Sequence, residues 1–167
     1  YARRHSECRE ALASIQKEVS GLEHLVDAPV TVLDKVELVP EVRKRAQHVI
    51  EEHQRVLQTT AALADGDLDR VGDLLFASHE SSRMLFDNSI DELDTLVELL
   101  GTFRDRGLIG ARLTGGGFGG AVMALTNASF TGESAESVLE EYRQRHPEAN
   151  APTCLHVLTG DGTRRLT

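Results

Sequence analysis

A cluster of glycines is the part of this sequence best suited to chemistry on an anionic group. It lies between two short apolar runs, residues 111–113 and 121–125. Its members are Gly115, Gly116, Gly117, Gly119 and Gly120. The simplest prediction is two strands joined by a glycine loop, and the cluster exceeds the one or two glycines that a hairpin needs. Two interpretations stay open: a nest of backbone N–H groups that cradles an anion, or a turn that packs against a neighbouring helix.

Two known phosphate-binding motifs are excluded by the residues around the cluster. Gly115, Gly117 and Gly120 have the spacing of the dinucleotide-binding fingerprint, which requires a strand before it and a helix directly after it. Residues 121–125 predict a strand instead, and no acidic residue follows at the distance where it would hold a ribose. A Walker loop closes with Lys followed by Ser or Thr, and this cluster does not.

Side chains that often serve in catalysis have unfavourable spacing for it here. Ser78 and His79 are neighbours on a predicted helix, so they point about 100° apart and do not form a nucleophile–base pair. His48 and His53 are five residues apart, about 140° around a helix, so they cannot share a metal ion. We predict a supporting or packing role for Ser78 and His79, and solvated positions for His48 and His53.

Acidic residues gather at the start of another predicted helix. Ser89 and Glu92 have the spacing of a capping box in which Ser89 is the N-cap. Asp91, Glu92 and Asp94 fall in the first turn, where the helix dipole favours negative charge. The dipole explains these carboxylates without a metal ion, and we predict no metal site.

Composition narrows the class of protein. The chain has 167 residues, enough for one domain with a real core, and a net charge of −9, which disfavours nucleic acid as a partner. No apolar run approaches the roughly 20 residues that span a bilayer, and no signal peptide precedes the charged start of the first helix. Cys8 and Cys154 do not make a disulfide framework, so we predict free thiols and a cytoplasmic location.

The elements that must position the glycine loop follow from the hydrophobic pattern. Helical periodicity predicts helices over residues 1–19, 41–64 and 134–145, a helix that Asp67 caps, and one that begins after Ser89. Pro40 suits the first turn of the second helix. The apolar stripe of that helix, which is predicted to face inward, consists of Val42, Ala46, Val49, Ile50, Leu57 and Leu63. Residues 22–39 are predicted as a loop or a short extended piece.

The C-terminal third predicts the sheet. Strands are expected over residues 108–114, 121–125 and 154–158, followed by a hairpin at Asp161-Gly162 and a short edge strand over 164–166. Helices that precede strands in this order indicate an α+β fold, in which a helical bundle packs on a small antiparallel sheet.

Several stretches resemble the galactokinase family of GHMP small-molecule kinases. Residues 111–120, ARLTGGGFGG, resemble the third signature motif of that family. Residues 66–83 are similarly close to the family, and further similarities occur at residues 1–8, 45–56 and 89–94. The last of these departs from the usual Ser-Cys-Pro-Glu-Leu-Asp, because Asp91 stands where the family has Pro. The resemblance covers nearly the whole chain and implies a ferredoxin-like GHMP kinase C-terminal domain over residues 1–167.

The resemblance also implies a function and a set of site residues. The family transfers the γ-phosphoryl group of ATP to the anomeric hydroxyl of galactose, with Mg²⁺ at the phosphates. Tyr1 matches the family tyrosine that helps to bind the sugar. The active-site loop matches Thr114, Gly115, Gly116, Gly117, Phe118, Gly119 and Gly120, which line the cleft between the two halves of the enzyme.

Parts of the family pattern are missing from these 167 residues. The sugar motif, the Gly-Leu-Ser-Ser-Ser-Ala phosphate motif and the segment with the catalytic Asp do not occur, so no catalytic residue is assigned. The chain starts at Tyr1, not Met, and we expect a fragment that needs an N-terminal half as partner and is inactive alone. Two alternatives remain: a non-catalytic sugar- or nucleotide-binding or regulatory module, or a GHMP kinase for another sugar. Oligomeric state is left open.

Overall fold

A computed structural model describes residues 1–150, 152–158 and 160. Helices and strands follow one another along the chain, with short 3₁₀ turns at Leu25–Asp27, Val30–Asp34 and Arg104–Arg106 and a π-helical turn at Ser82–Phe86. The regular elements are α1 (Ala2–Ile15), α2 (Pro40–Asp65), α3 (Leu68–Ser81), α4 (Asp91–Gly101), β1 (Leu108–Thr114), β2 (Ala121–Thr126) and α5 (Gly132–Arg145). The predicted α+β class is confirmed, with the helices packed on a small antiparallel sheet.

The helix ends follow local chemistry. Pro40 begins α2, and Gly66 ends it in the left-handed conformation at φ +72°. The side chain of Asp67 accepts a hydrogen bond from the Arg70 N–H at 2.9 Å and so caps α3, as predicted. The side chain of Thr131 caps α5 in the same way.

Two apolar cores hold the helices. The first joins α1, α2 and the 3₁₀ turns before α2, and Ile15, Ala46 and Ile50 are fully buried in it. The second joins α4, β1 and α5 around Val97, Leu99 and Ala111. The apolar stripe predicted on α2 is only partly correct, because the 3₁₀ turns and α1 cover its N-terminal half.

The C-terminal half of α2 lies outside both apolar cores. Leu57 and Leu63 were predicted to face inward, but they are 52% and 54% exposed. Helical periodicity indicates which residues share a face, and it does not indicate where the neighbouring element stops.

A glycine pair brings α3 against β1. A Cβ on Gly110 would lie 2.7 Å from Gly72 Cα, and a Cβ on Gly72 would lie 2.8 Å from the Ile109 carbonyl carbon. Because only glycine permits this approach, the second turn of α3 lies directly against the start of β1, at the end of the strand away from the glycine loop. The close approach therefore fixes β1, the strand that leads into the loop, on α3.

The sheet consists of β1 paired antiparallel with β2 among the described residues. Thr114 pairs with Ala121 at the mouth of the loop, and the register shifts once, between Leu108 and Gly110. Most of β1 is buried and most of β2 is exposed or half-buried. The loop therefore lies at the end of a two-stranded ribbon that the helices cover on one side.

The predicted third strand is wrong. Residues 152–158 have no regular secondary structure, and Leu155, Val157 and Leu158 are each at least 80% exposed. The local pattern suits a strand, but a strand also needs backbone partners, and the described residues offer none to this segment. The hairpin at Asp161-Gly162 and the edge strand over 164–166 lie outside the described residues.

The capping box at Ser89 is also wrong. The N-cap of α4 is Ile90, in an extended conformation, and α4 begins at Asp91. The Ser89 hydroxyl donates instead to the carboxylate of Asp94. The capping spacing is satisfied in the sequence, but the chain enters the helix one residue later, and the Ser89 hydroxyl bonds a side chain of the first turn instead of a backbone N–H.

Among the described residues, no helix combines the length and the apolarity that crossing a bilayer requires.

Candidate active-site loop

The glycine loop adopts backbone conformations that other residues avoid. Four of its glycines have positive φ, and so does Phe118 at +59°, which is unusual for a bulky side chain. The four are Gly115 (+82°), Gly117 (+77°), Gly119 (+115°) and Gly120 (+106°). Surrounding contacts must hold such a loop in place, because positive φ at Phe118 costs about 1–3 kcal/mol.

Asn88 holds the centre of the loop. Its carbonyl oxygen accepts a hydrogen bond from the Phe118 N–H at 2.6 Å, and its Nδ2 donates to the Gly116 carbonyl at 3.2 Å. A Cβ on Gly117 would lie 2.6 Å from Asn88 Nδ2 and nearer still to the Asn88 carbonyl oxygen. Gly117 is therefore required both for its φ and for this approach.

Other loop donors remain available. Within the part of the chain that the structure describes, no acceptor is bonded to the N–H groups of Gly115, Gly116, Gly117, Gly119 and Gly120. Exposed backbone N–H groups in such conformations suit an anionic group such as a phosphate. The two interpretations of the glycine cluster are thus compatible, because residues 116–118 pack on Asn88 while the glycine N–H groups have no acceptor in the part of the chain that the structure describes.

Tyr1 lies beside the loop. A Cβ built on Gly116 would lie 3.7 Å from Tyr1 Cε2, and Tyr1 is 80% exposed. One turn later on α1, the Arg4 guanidinium lies 5.8 Å from the centre of the half-exposed Phe118 ring. The predicted sugar-contact residue and the predicted loop therefore share one surface.

A buried ion network lies under this surface, and sequence reasoning missed it. The carboxylate of Glu7 contacts Arg45 Nε at 2.9 Å, Arg3 Nε at 2.8 Å and Arg4 Nη1 at 3.2 Å. The carboxylate of Asp87 pairs with Arg4 and with Arg45 Nη2, the latter at 3.2 Å. The network ties α1 and α2 to Asp87, the residue directly before Asn88.

The protonation of Glu7 follows from these neighbours. Burial alone would raise the pKa of its carboxyl group, but hydrogen bonds from Arg45 and Arg3 and the charges of Arg45 and Arg4 outweigh it, so the pKa is lowered. The local sequence signal was weak, because Arg4 and Glu7 are three residues apart on α1 and resemble a surface pair.

Asn88 carries one polar atom without a partner. Its Oδ1 is buried and has no hydrogen-bond partner among the described residues, and the residue is 6% exposed. An unsatisfied buried acceptor costs about 1–3 kcal/mol. An apolar side chain of similar size at position 88 would avoid this cost, so asparagine is not the residue that makes the fold most stable.

Ser78 and His79 bind separate partners, as their spacing predicts. The hydroxyl of Ser78 donates to Glu52. His79 Nδ1 accepts the Leu113 N–H at 3.3 Å, and its Nε2 lies 3.2 Å from Asp94. Burial lowers the pKa of His79 although Asp94 opposes it, so the ring is neutral and links the end of β1 to α4.

His48 is not solvated, contrary to the prediction. Its Nδ1 lies 2.9 Å from Ser81 Oγ, and its ring stacks on Phe86 at 4.6 Å between centroids. Burial is the main cause that lowers its pKa to about 4, helped by the charges of Arg55 and Arg112 and opposed by Glu52. His48 therefore belongs to the packing around the π-helical turn.

Burial of the His48 ring makes the free energy of unfolding dependent on pH. Since the pKa of His48 is about 4 in the folded state and near 6.5 when unfolded, the unfolded chain binds the extra proton between these values. Stability is therefore kept above pH 6.5 and lost as the pH falls. We expect the His48 contribution to fall by about 2 kcal/mol between pH 8 and pH 5. Urea unfolding at the two pH values measures it.

The variant His48→Asn is the control for that measurement. Asn keeps a hydrogen-bonding group near Ser81 but does not titrate, so the pH dependence should shrink by about the same 2 kcal/mol. His79 also has a lowered pKa and remains in the variant, so a smaller dependence persists. An unchanged difference between pH 8 and pH 5 in His48→Asn would contradict the assignment.

The described residues do not form a metal site. No group of three or more His, Cys, Asp or Glu side chains in this part of the chain is placed to hold a metal ion. Backbone N–H donors in the loop suit an anion, and the exposed Tyr1 side chain lies beside them. This arrangement does not fit a divalent cation held by protein ligands alone.

Comparisons with known proteins agree on one family. The family model described as GHMP kinases C terminal matches residues 59–148. A galactokinase from Thermotoga maritima is 42% identical over 145 residues, which cover 87% of this chain and 39% of that protein. A galactokinase from Thermosipho africanus is 38% identical over 168 residues, which cover 99% of this chain and 44% of that protein.

A solved structure gives the same result. The fold matches Lactococcus lactis galactokinase complexed with galactose at a TM-score of 0.82 and 31% identity, over 88% of this chain and 38% of that one. The chain spans about two fifths of the length of the curated relatives it matches. The chain therefore belongs to the GHMP kinase family, carries that family's C-terminal domain, and has galactokinases as its curated relatives.

Proposed function

We propose that this chain is the C-terminal part of an enzyme that transfers the γ-phosphoryl group of ATP to the anomeric hydroxyl of galactose. The observation that carries the proposal is the loop over residues 114–120, which Asn88 fixes at its centre and whose glycine N–H groups have no acceptor among the described residues. The names of the relatives, all galactokinases, support the choice of galactose.

The residues of this chain would bind and orient rather than react. Phosphoryl transfer depends on positioning and on stabilising the charge of the transferred group. Backbone N–H groups of the loop can donate to phosphate oxygens, and the Tyr1 hydroxyl can both donate to and accept from a sugar hydroxyl. Thr114 lies at the mouth of the loop, where we place the cleft shared with an N-terminal half.

Mg²⁺ would neutralise phosphate charge when bound with ATP. Since no group of three or more His, Cys, Asp or Glu side chains among the described residues is placed to hold a metal ion, we assign its ligands to the N-terminal half and give it no step here. We also propose a cytoplasmic location, where ATP is present and where thiols such as Cys8 and Cys154 stay reduced. Fractionation of cells that express the protein would test the location.

An assay of ADP release tests the proposal. The full-length protein should release ADP from Mg-ATP only when galactose is present, and residues 1–167 alone should release none above background. The reason is that this chain supplies loop and sugar contacts without the catalytic Asp segment of the family. Galactose-dependent turnover by residues 1–167 would overturn the division of the site between two halves.

The same assay separates the proposal from its alternatives. Binding of galactose or ATP by the full-length protein without turnover would indicate a non-catalytic module. Turnover with another sugar at a higher kcat/KM would indicate a different GHMP kinase.

Tyr1→Phe should raise the KM for galactose about tenfold, the value of one lost hydrogen bond, and leave the KM for ATP unchanged. Equal KM values for galactose would remove Tyr1 from the sugar site.

A further inference from the structure

Asn88 bonds the loop on both sides of Gly117. Its side chain holds the Gly116 carbonyl and its main chain holds the Phe118 N–H, at 3.2 Å and 2.6 Å. Three consecutive loop residues therefore have their backbone direction set by one residue. Asn88 has no place in the predicted site, since nothing in its local sequence marks it.

Asn88 is itself held from several elements. Its N–H donates to the Ser82 carbonyl at 3.2 Å, across the π-helical turn. The preceding residue, Asp87, is left-handed at φ +55°, and Arg4 also donates to its carbonyl at 2.8 Å. Arg45 donates to the Leu85 carbonyl. The backbone that presents Asn88 is thus fixed by α1, α2 and the turn together.

The stability of the fold does not explain the choice of asparagine. Its Oδ1 is buried and unpartnered among the described residues, and a leucine of similar size would not carry that unsatisfied acceptor. The one bond that only the amide supplies is that from Nδ2 to the Gly116 carbonyl. What the amide adds is therefore control of the loop.

We propose that Asn88 is a positioning residue that presets the glycine loop so that its glycine N–H groups, which have no acceptor among the described residues, point at the transferred phosphoryl group. The proposal rests on the phosphoryl transfer proposed above. Asn88 itself is buried and contacts the loop rather than a substrate, so it acts through Gly116 and Phe118. Donors that are fixed before the reaction stabilise developing charge without reorganisation, and a loose loop loses this advantage.

Asn88→Leu in the full-length protein tests the proposal. We expect kcat to fall roughly 10- to 100-fold, a part of the effect of losing a preorganised donor, while the KM for galactose and the melting temperature stay within error of the original. Asn88→Asp is the second variant, because it keeps the size but replaces the Nδ2 donor. Its kcat should fall to a similar extent, and it tests the proposal on its own if the Asn88→Leu variant does not fold.

Asn127→Leu is the matched control. Asn127 is exposed at the far end of β2, where its Oδ1 accepts the Ser129 N–H, so the same chemical change should leave kcat unaltered. A merely structural role for Asn88 predicts that kcat follows the folded fraction. A positioning role predicts that kcat falls in protein that is fully folded.

A second readout does not require turnover. Amide hydrogen exchange of the Phe118 N–H should quicken at least tenfold in Asn88→Leu or Asn88→Asp, while exchange in the α2 core stays unchanged. Faster exchange together with lower kcat supports the proposal, and unchanged exchange or unchanged kcat in both folded variants overturns it. If the unmodified full-length protein has no galactose-dependent turnover, the proposed function fails, and the exchange result alone then decides whether Asn88 presets the loop.

Discussion

Gly117→Val should abolish galactose-dependent turnover in the full-length protein while the fold stays intact, and Gly117→Ala should lower kcat/KM at least about 100-fold. The backbone at Gly117 has φ +77°, and any Cβ there would lie 2.6 Å from Asn88 Nδ2. The loop must leave Asn88 to make room, so its N–H groups change direction. Since the loop lies outside both apolar cores, the melting temperature should fall by only a few degrees.

Gly115→Ala is the matched control for that experiment. Gly115 has nearly the same φ, +82°, but nothing lies within 4 Å of the position where its Cβ would be. Both alanines carry a similar left-handed strain, about 1 kcal/mol, and only the one at Gly117 displaces the loop from Asn88. Equal losses in the two variants would assign the effect to backbone strain. Full activity in folded Gly117→Val would make the loop a simple turn.

The strands and loop of the site could be predicted because their signals are local. The apolar runs and the glycines between them predict β1 over residues 108–114, which matches Leu108–Thr114, and β2 within one residue. The Asp67 cap and the start of α2 at Pro40 are equally local, and both are confirmed. Most of the helices and both strands were therefore predicted from patterns among residues that are close in the sequence.

The features that hold the loop could not be predicted, because they join distant residues. Asn88 reaches Gly116 only because a π-helical turn and a left-handed Asp87 redirect the chain after α3. Neither the turn nor the left-handed residue has a reliable sequence signature. The same limit explains the error at residues 154–158, which have no strand partner among the described residues.

Among the substitutions considered, removal of Arg45 from the ion network should have the largest effect on the free energy of unfolding. We expect Arg45→Met to lower the free energy of unfolding by about 2–3 kcal/mol, as measured by urea denaturation near pH 7, because Glu7 loses Arg45 but keeps its contacts with Arg3 and Arg4. Arg45 is 3% exposed, and its removal leaves the buried Glu7 carboxylate without its 2.9 Å partner and the Leu85 carbonyl without a donor. Arg143→Met, which removes an exposed arginine paired with Glu136, should change stability by less than about 0.5 kcal/mol.

A double variant shows whether the stability lost in Arg45→Met comes from the Glu7 carboxylate that no longer has Arg45 as a partner. Glu7→Gln combined with Arg45→Met removes both charges, so its destabilisation should be smaller than the sum of the two single changes. Because the lowered pKa of Glu7 stabilises the fold above its unfolded value of 4.5, the original protein should lose this contribution as the pH falls below that value, and Glu7→Gln should not. Additive losses would mean that Arg45 acts by packing alone. Since Arg45 also pairs with Asp87, the residue directly before Asn88, Arg45→Met removes a contact that joins α2 to the backbone on which the glycine loop packs.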